Sequence, residues 1–262
     1  MESQQDIQGR LFARDSTLFR GPALYTPRTP WGAASALLVA LVIVLLSGAV
    51  AAGLLVSLGF GAEVPAGGGG AEATIGIHMF AIWQAAVVLL TLLAATRGGI
   101  ANVLALNHVP GGWRAFAAAI AALAVLQVAL GLVQYIVIRH DMLADLRLFY
   151  DMIRGPQWLI TAAVIGIGAP LSEELLFRGF LQSALARTRI GFWWAALITT
   201  VLWTTLHAGY SAVGLFEVFL IGLFFSWLLW RTGSLWVPIL CHAVYNSLIV
   251  LVLRFVDLPA PT

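Results

Sequence analysis

The sequence predicts an all-α fold, a polytopic transmembrane helical bundle with seven to eight membrane-spanning helices. Hydrophobic residues make up 61% of the 262 residues, whereas roughly 45–50% is usual in soluble domains. The mean hydropathy is +0.94. The apolar residues also fall into segments of about 20 residues, the length that crosses a bilayer as a helix. Only 10% of the residues are charged, and no basic run indicates a nucleic-acid interface.

Along the chain, a polar N-terminal stretch is followed by seven apolar segments. Residues 1–30 are polar and lack an apolar stretch followed by a cleavage site, so we expect a cytoplasmic N-terminal tail. The fourth apolar segment is too long for one straight helix, and Pro170 inside it predicts a kink or break, which would make eight elements. The seven apolar segments lie at 32–58, 77–96, 114–138, 157–186, 192–208, 213–230 and 235–255.

Arginine placement predicts the orientation and a division into three parts. Arginines precede the first segment and follow the second, fourth and sixth, which favours a cytoplasmic N-terminus. The stretch 139–156 mixes arginine and aspartate with apolar residues at helical spacing, which indicates an amphipathic helix on the opposite interface or an ordinary connector. We therefore expect a tail at 1–30, three transmembrane helices plus this interfacial segment at 31–156, and a transmembrane core at 157–256.

Few ionisable residues fall within the apolar segments, where each is costly unless it is paired or hydrated. Glu174 and Arg178 are four residues apart with the acid first, the favourable order for an ion pair on a helix. Glu173 points about 100° away from Glu174 and has no partner on its own helix. Counted from the ends of their segments, Glu173 and His207 lie at similar depths, about 21 and 22 Å, and can therefore meet.

His242 and Asn246 share one face of the last segment, and both can donate hydrogen bonds from it. A glutamate beside an imidazole can remove a proton from water. Two donors on a facing helix can stabilise a developing oxyanion. Glu173, His207, His242 and Asn246 together therefore predict hydrolysis of an amide bond.

Three motifs in these segments resemble those of the CAAX prenyl protease and bacteriocin-processing family, the type II CAAX endopeptidases also called the ABI family. "EELLFR" at 173–178 matches its EExxxR motif, and "HAVYN" at 242–246 matches its HxxxN motif. "WTTLH" at 203–207 resembles its FxxxH motif, with Trp203 in place of phenylalanine, a change that we expect to affect pocket shape and not chemistry. The resemblance covers about 157–254 and implies an intramembrane cavity and an intramembrane endopeptidase acting on a membrane-associated protein or peptide.

The resemblance also implies roles for individual residues. Glu173 and His207 would activate the attacking water, His242 and Asn246 would form the oxyanion site, and Glu174 and Arg178 would be structural or would orient the substrate. A zinc metalloprotease is the competing mechanism, and it would need three ligands such as Glu173, His207 and His242 plus water. Asparagine is a poor zinc ligand, so we favour a mechanism without a cofactor and keep zinc as the alternative.

Two other functional classes fit the residues. A secondary transporter or proton-coupled channel could use a helix broken at Pro170 and intramembrane acids, although the halves show no internal repeat. A non-catalytic scaffold or bacteriocin-immunity protein is the other. Glu217 belongs to no motif and is expected to be structural, with a lumenal or cavity-lining acid as the alternative. The expected partners are the lipid bilayer and a membrane-associated peptide or protein, without nucleic acid, and the expected location is the bacterial inner (plasma) membrane.

Overall fold

The computed structural model describes residues 11–13, 16–58, 69–138 and 145–257, and helices dominate all but the shortest of these ranges. No strand occurs in the part of the chain that is described. Helix α6 is continuous but changes its winding along its length. The helices are α1 Ala33–Ser57, α2 Gly69–Ala95, α3 Ile100–Val103, α4 Trp113–Val133, α5 Arg147–Arg154, α6 Trp158–Ala186, α7 Gly191–Thr205, α8 Ala212–Thr232 and α9 Trp236–Phe255.

Six of these helices are long and apolar enough to cross a membrane, namely α1, α2, α4, α6, α8 and α9. The all-α class and the integral membrane character are therefore confirmed. The fifth predicted segment corresponds to α7, which has 15 residues and spans only about 22 Å of the roughly 30 Å hydrocarbon core. The number of crossings, seven or eight, stays a prediction.

Helix α6 is not broken at Pro170. It contains two stretches of wider π-helical winding, Val164–Gly168 and Glu174–Leu181, and Pro170 lies in the short α-helical stretch between them, Ala169–Glu173. Such wide turns are frequent at functional sites and can accommodate a residue that lacks a backbone donor. The irregularity predicted from the proline is therefore present as a change in winding, and the chain continues as one helix.

Contacts between loops define two ends of the bundle. At the tail end (residues 16–31, 96–112, 187–190 and 233–235), Asn107 donates to the Gly233 carbonyl at 3.0 Å and Arg187 donates to the Thr29 carbonyl. At the opposite end (residues 145–157, 206–211 and 256–257), Asp145 accepts hydrogen bonds from the backbone and side chain of Ser211 at 2.7 and 2.8 Å. Helix α7 therefore joins the two ends, although it is short.

The described part of the predicted amphipathic segment is helical and packs on the bundle. Ile153 of α5 is buried against Val250 and Leu253 of α9. Arg154 donates to the carbonyls of Leu253 and Val256 at 2.9 and 2.8 Å. Helix α5 is thus fixed to α9 at the opposite end, while residues 139–144 of the prediction lie outside the described residues.

The polar residues before α1 pack against the tail end. Arg231, at the end of α8, is 2% exposed and its guanidinium donates to five backbone carbonyls of this segment, those of Thr17, Leu18, Arg20, Gly21 and Pro22, at 2.6 to 2.8 Å. The backbone N–H groups of Leu24 and Tyr25 donate to the Trp230 carbonyl. Residues 16–25 are therefore fixed to the tail end of the bundle by hydrogen bonds. Residues 1–10, 14 and 15 of the predicted tail lie outside the described residues.

Candidate active site

A cavity of about 700 Å³ opens among α2, α4, α5, α6, α7, α8 and α9, and all four predicted site residues line it. Glu173 comes from α6, His207 from the turn after α7, and His242 and Asn246 from α9. Most of the remaining lining is apolar, including Trp203, Leu206, Val218 and Ile249. Three separate segments of the chain therefore bring the four polar side chains to one cavity of the bundle.

The ion pair between Glu174 and Arg178 is present, but it has a third member. Arg178 Nη1 lies 3.1 Å from Glu174 Oε1, and both side chains are fully buried. His242 Nδ1 lies 3.0 Å from the same carboxylate oxygen. Glu174 therefore holds the imidazole of His242 as well as the guanidinium, so it orients a cavity residue directly.

This contact constrains what His242 can do. A carboxylate only accepts hydrogen bonds, so Nδ1 carries the proton in the bond to Glu174. In the neutral imidazole, Nε2 is then an acceptor, and it becomes a donor only when the ring is positively charged. An oxyanion role for His242 thus requires the charged ring, for which the Glu174 carboxylate is the counter-charge.

Glu173 receives a hydrogen bond from an unexpected residue. Trp203 Nε1 donates to Glu173 Oε2 at 2.5 Å, and both side chains are more than nine-tenths buried. The indole therefore supplies Glu173 with a donor that phenylalanine lacks, in addition to the difference in pocket shape expected from the sequence. The bond joins α6 to α7, and the spacing of residues within one helix could not reveal it.

The other two site residues are held by backbone carbonyls. His207 Nδ1 lies 3.3 Å from the Trp203 carbonyl, one turn earlier in the chain. Asn246 Nδ2 donates to the Ile165 carbonyl at 3.0 Å, within the first wide turn of α6. One amide hydrogen of Asn246 remains for another acceptor, since the amide carries two.

The cavity holds a second polar group, of which the sequence analysis named only Glu217. Glu217 of α8 accepts from Gln134 Nε2 at 2.6 Å and from the Tyr245 hydroxyl at 3.3 Å, and all three residues line the cavity. Tyr245 lies three residues after His242 and therefore on the same helix face, which was a usable signal. No sequence signal pointed to Gln134, which lies within the third predicted segment, 114–138.

The described residues do not assemble a metal site. No group of three histidine, cysteine, aspartate or glutamate side chains among them is arranged to hold a metal ion. The Trp203 indole donates to one oxygen of Glu173. The Trp203 backbone carbonyl is in contact with Nδ1 of His207. The zinc ligand set of Glu173, His207 and His242 therefore does not fit the side chains as placed, and we derive no step through zinc.

Comparison with protein families gives a match in the C-terminal half of the chain. Residues 155–248 match the Rce1-like family of type II CAAX prenyl endopeptidases. The resemblance inferred from the three motifs is confirmed over this segment. The Rce1-like segment begins just before α6 and ends within α9, so it supplies Glu173, His207, His242 and Asn246.

Two curated relatives match over a similar length. An uncharacterised 24.3 kDa protein of Escherichia coli is 38% identical over 95 residues, which are 36% of this chain and 44% of the relative. YdiL of Bacillus subtilis (strain 168), named as a candidate membrane peptidase, is 31% identical over 102 residues, which are 38% of this chain and 39% of the relative. The chain thus covers less than half of each relative. No solved structure matches it.

Proposed function

We propose that the protein is an intramembrane endopeptidase that hydrolyses a peptide bond in a membrane-associated protein or peptide. The observation that carries the proposal is the meeting of Glu173, His207, His242 and Asn246 in one cavity of a membrane-spanning bundle. The Rce1-like match over 155–248 and the relative named as a candidate membrane peptidase support it. A bacterial inner membrane with the N-terminus in the cytoplasm is the proposed setting.

The proposed reaction uses water as the nucleophile. Glu173, assisted by His207, takes a proton from water while the water oxygen bonds to the carbonyl carbon of the substrate. Asn246 and the charged ring of His242 donate to the oxyanion that forms. The carbon–nitrogen bond then breaks, and the proton held by Glu173 passes to the leaving amine. Glu174 and Arg178 keep His242 in place throughout.

The test compares the full chain with variants in proteoliposomes that contain a membrane peptide fraction, with cleaved peptides identified by mass spectrometry. We expect Glu173→Gln and His207→Ala each to lower cleavage by about 10²- to 10⁴-fold, the usual contribution of a general base. Asp151→Asn is the matched control, because Asp151 is an exposed carboxylate on α5 that does not line the cavity.

Two results would contradict the proposal. Cleavage that persists undiminished in Glu173→Gln would remove the proposed base from the mechanism. Proton-coupled flux across the same liposomes without cleavage would favour a transporter. An added chelator such as 1,10-phenanthroline separates the mechanisms, since we expect cleavage to continue in its presence and the zinc alternative expects it to stop.

A further inference from the structure

The side chain of Trp203 contacts four charged or titratable residues of the site, namely Glu173, Arg178, His207 and His242. Its N–H bonds to Glu173, and its ring lies 4.2 Å from the Arg178 guanidinium carbon, in cation–π geometry. Its ring also meets those of His207 and His242 edge-on, with centroid distances of 5.0 and 5.7 Å. At 2% exposure, the indole is fixed within this set of contacts.

The N–H contact and the ring contacts have different chemical origins. The ring contacts need only an aromatic face and edge, which phenylalanine also provides. The hydrogen bond needs the indole N–H, a donor whose contact with a carboxylate is charge-assisted and strong. Within the described chain, this is the hydrogen bond that fixes the Glu173 carboxylate, and no donor reaches its Oε1.

We propose that Trp203 is a positioning residue, whose indole N–H holds Oε2 of Glu173 so that Oε1 is aligned to accept a proton from the attacking water. This inference rests on the proposed function and concerns the geometry of its general base. Its consequence is that tryptophan at position 203, where the motif has phenylalanine, supplies part of the catalytic alignment in this chain. Removing the N–H alone should therefore slow the chemical step and leave substrate binding unchanged.

The experiment removes the donor in two ways. Trp203→Phe keeps an aromatic ring, and replacement of Trp203 by 3-benzothienylalanine keeps the bicyclic shape with sulfur in place of N–H. With a membrane-anchored fluorogenic peptide that the wild type cleaves, we expect kcat to fall by roughly 10- to 100-fold in both, the cost of a small misplacement of a reacting group. KM should stay unchanged. The thermal midpoint should fall in both variants, because Oε2 of Glu173 is left buried without its donor.

A matched control removes an indole N–H elsewhere. Trp31 Nε1 donates to the Ala94 carbonyl at 3.1 Å, away from the cavity lining. Trp31→Phe should therefore leave kcat unchanged. Wild-type kcat in the benzothienylalanine variant, or a change confined to KM, would overturn the proposal, because ring volume would then explain any loss in Trp203→Phe.

A second readout does not depend on activity. In the full chain with isotope-labelled tryptophan, the Trp203 indole proton should resonate at unusually low field by nuclear magnetic resonance, and Glu173→Gln should move it upfield. A chemical shift of the Trp203 indole proton that does not change in Glu173→Gln would overturn the proposal. If the wild type cleaves no membrane peptide, the proposed function fails, and this spectrum still decides whether Trp203 holds the carboxylate.

Discussion

At the scale of single residues, Arg178 is an ion buried without a full set of hydrogen bonds. Its Nη1 bonds to Glu174, while Nε and Nη2 are buried without a hydrogen-bond partner among the described residues. The guanidinium carbon instead lies 4.2 Å from the Trp203 ring and 5.9 Å from the Phe225 ring. The aromatic faces therefore replace part of the solvation that the cation loses on burial.

Removing this cation should destabilise the protein strongly. Arg178→Met leaves Glu174 as a buried carboxylate with only His242 beside it, and breaking a buried pair from one side costs about 3–5 kcal/mol. The measurement is the free energy of unfolding in detergent. The double variant Glu174→Gln with Arg178→Met should recover part of the loss, because the Glu174 carboxylate is then no longer buried without its arginine. A double variant as unstable as the single one would contradict this account.

The sequence could predict contacts within one helix better than contacts between helices. The pair of Glu174 and Arg178 was readable from its four-residue spacing, and the structure shows it. The bonds from His242 to Glu174 and from Trp203 to Glu173 join residues 68 and 30 positions apart in sequence. They depend on how helices turn toward each other, which no local pattern records.

At the scale of the elements, Gly222 lets α8 approach α6 and α7 closely. A Cβ atom at Gly222 would lie 2.7 Å from Thr200 Cγ2, 2.8 Å from Arg178 Nη2 and 2.9 Å from a ring carbon of Trp203. Small residues at such positions allow transmembrane helices to pack backbone to backbone. The position of α8 thus supports the same two residues that surround the candidate base.

Gly222→Ala should disturb both packing and activity. The added methyl group must displace Thr200, Arg178 and Trp203. Overpacking of this kind costs about 1–3 kcal/mol. Thermal unfolding and cleavage assays on the same preparation measure the two effects. Gly53→Ala in α1 is the matched control, since nothing lies within 4 Å of its Cβ position. Equal thermal stability and equal cleavage in the two variants would show that the close approach of α8 to α6 and α7 has no consequence for either property.

Hydropathy predicted the existence of the long helices, because an apolar run is a local property of the sequence. It could not predict where α7 ends. The apolar stretch extends to 208, but the helix stops at Thr205 and the chain turns, which places His207 in the turn. The wide turns of α6 also escaped prediction, since only Pro170 marked an irregularity and its outcome depended on the surrounding helices.

At the scale of the whole molecule, one arginine connects the two extremes of the described chain. Arg231 binds five carbonyls about 210 positions earlier in the sequence, so the segment before α1 closes over the tail end of the Rce1-like core. The polar composition of this segment predicted a tail and gave no sign of these contacts. The carbonyl cluster was not predictable, because backbone acceptors have no sequence signature.

Arg231→Met should release this segment and lower stability. Hydrogen bonds to charged groups are worth about 1.5–3 kcal/mol each, and the loss of five should lower the free energy of unfolding by at least about 2 kcal/mol after relaxation. The thermal midpoint in detergent reports the change. Arg114→Met, at an exposed arginine, should have little effect. An unchanged midpoint in Arg231→Met would show that the segment adds no stability.

The arrangement of the two ends also fixes a relation between distant parts of the chain. Leu235, just before α9, bonds to Ala105 at the tail end, whereas Val256, just after α9, bonds to Arg154 at the opposite end. Helix α9 is long and apolar enough to cross the bilayer. We therefore expect residues 16–31 and residues 256–257 to face different aqueous compartments, whichever way the protein inserts. Reporter domains fused beside these two segments would therefore always give opposite topological signals.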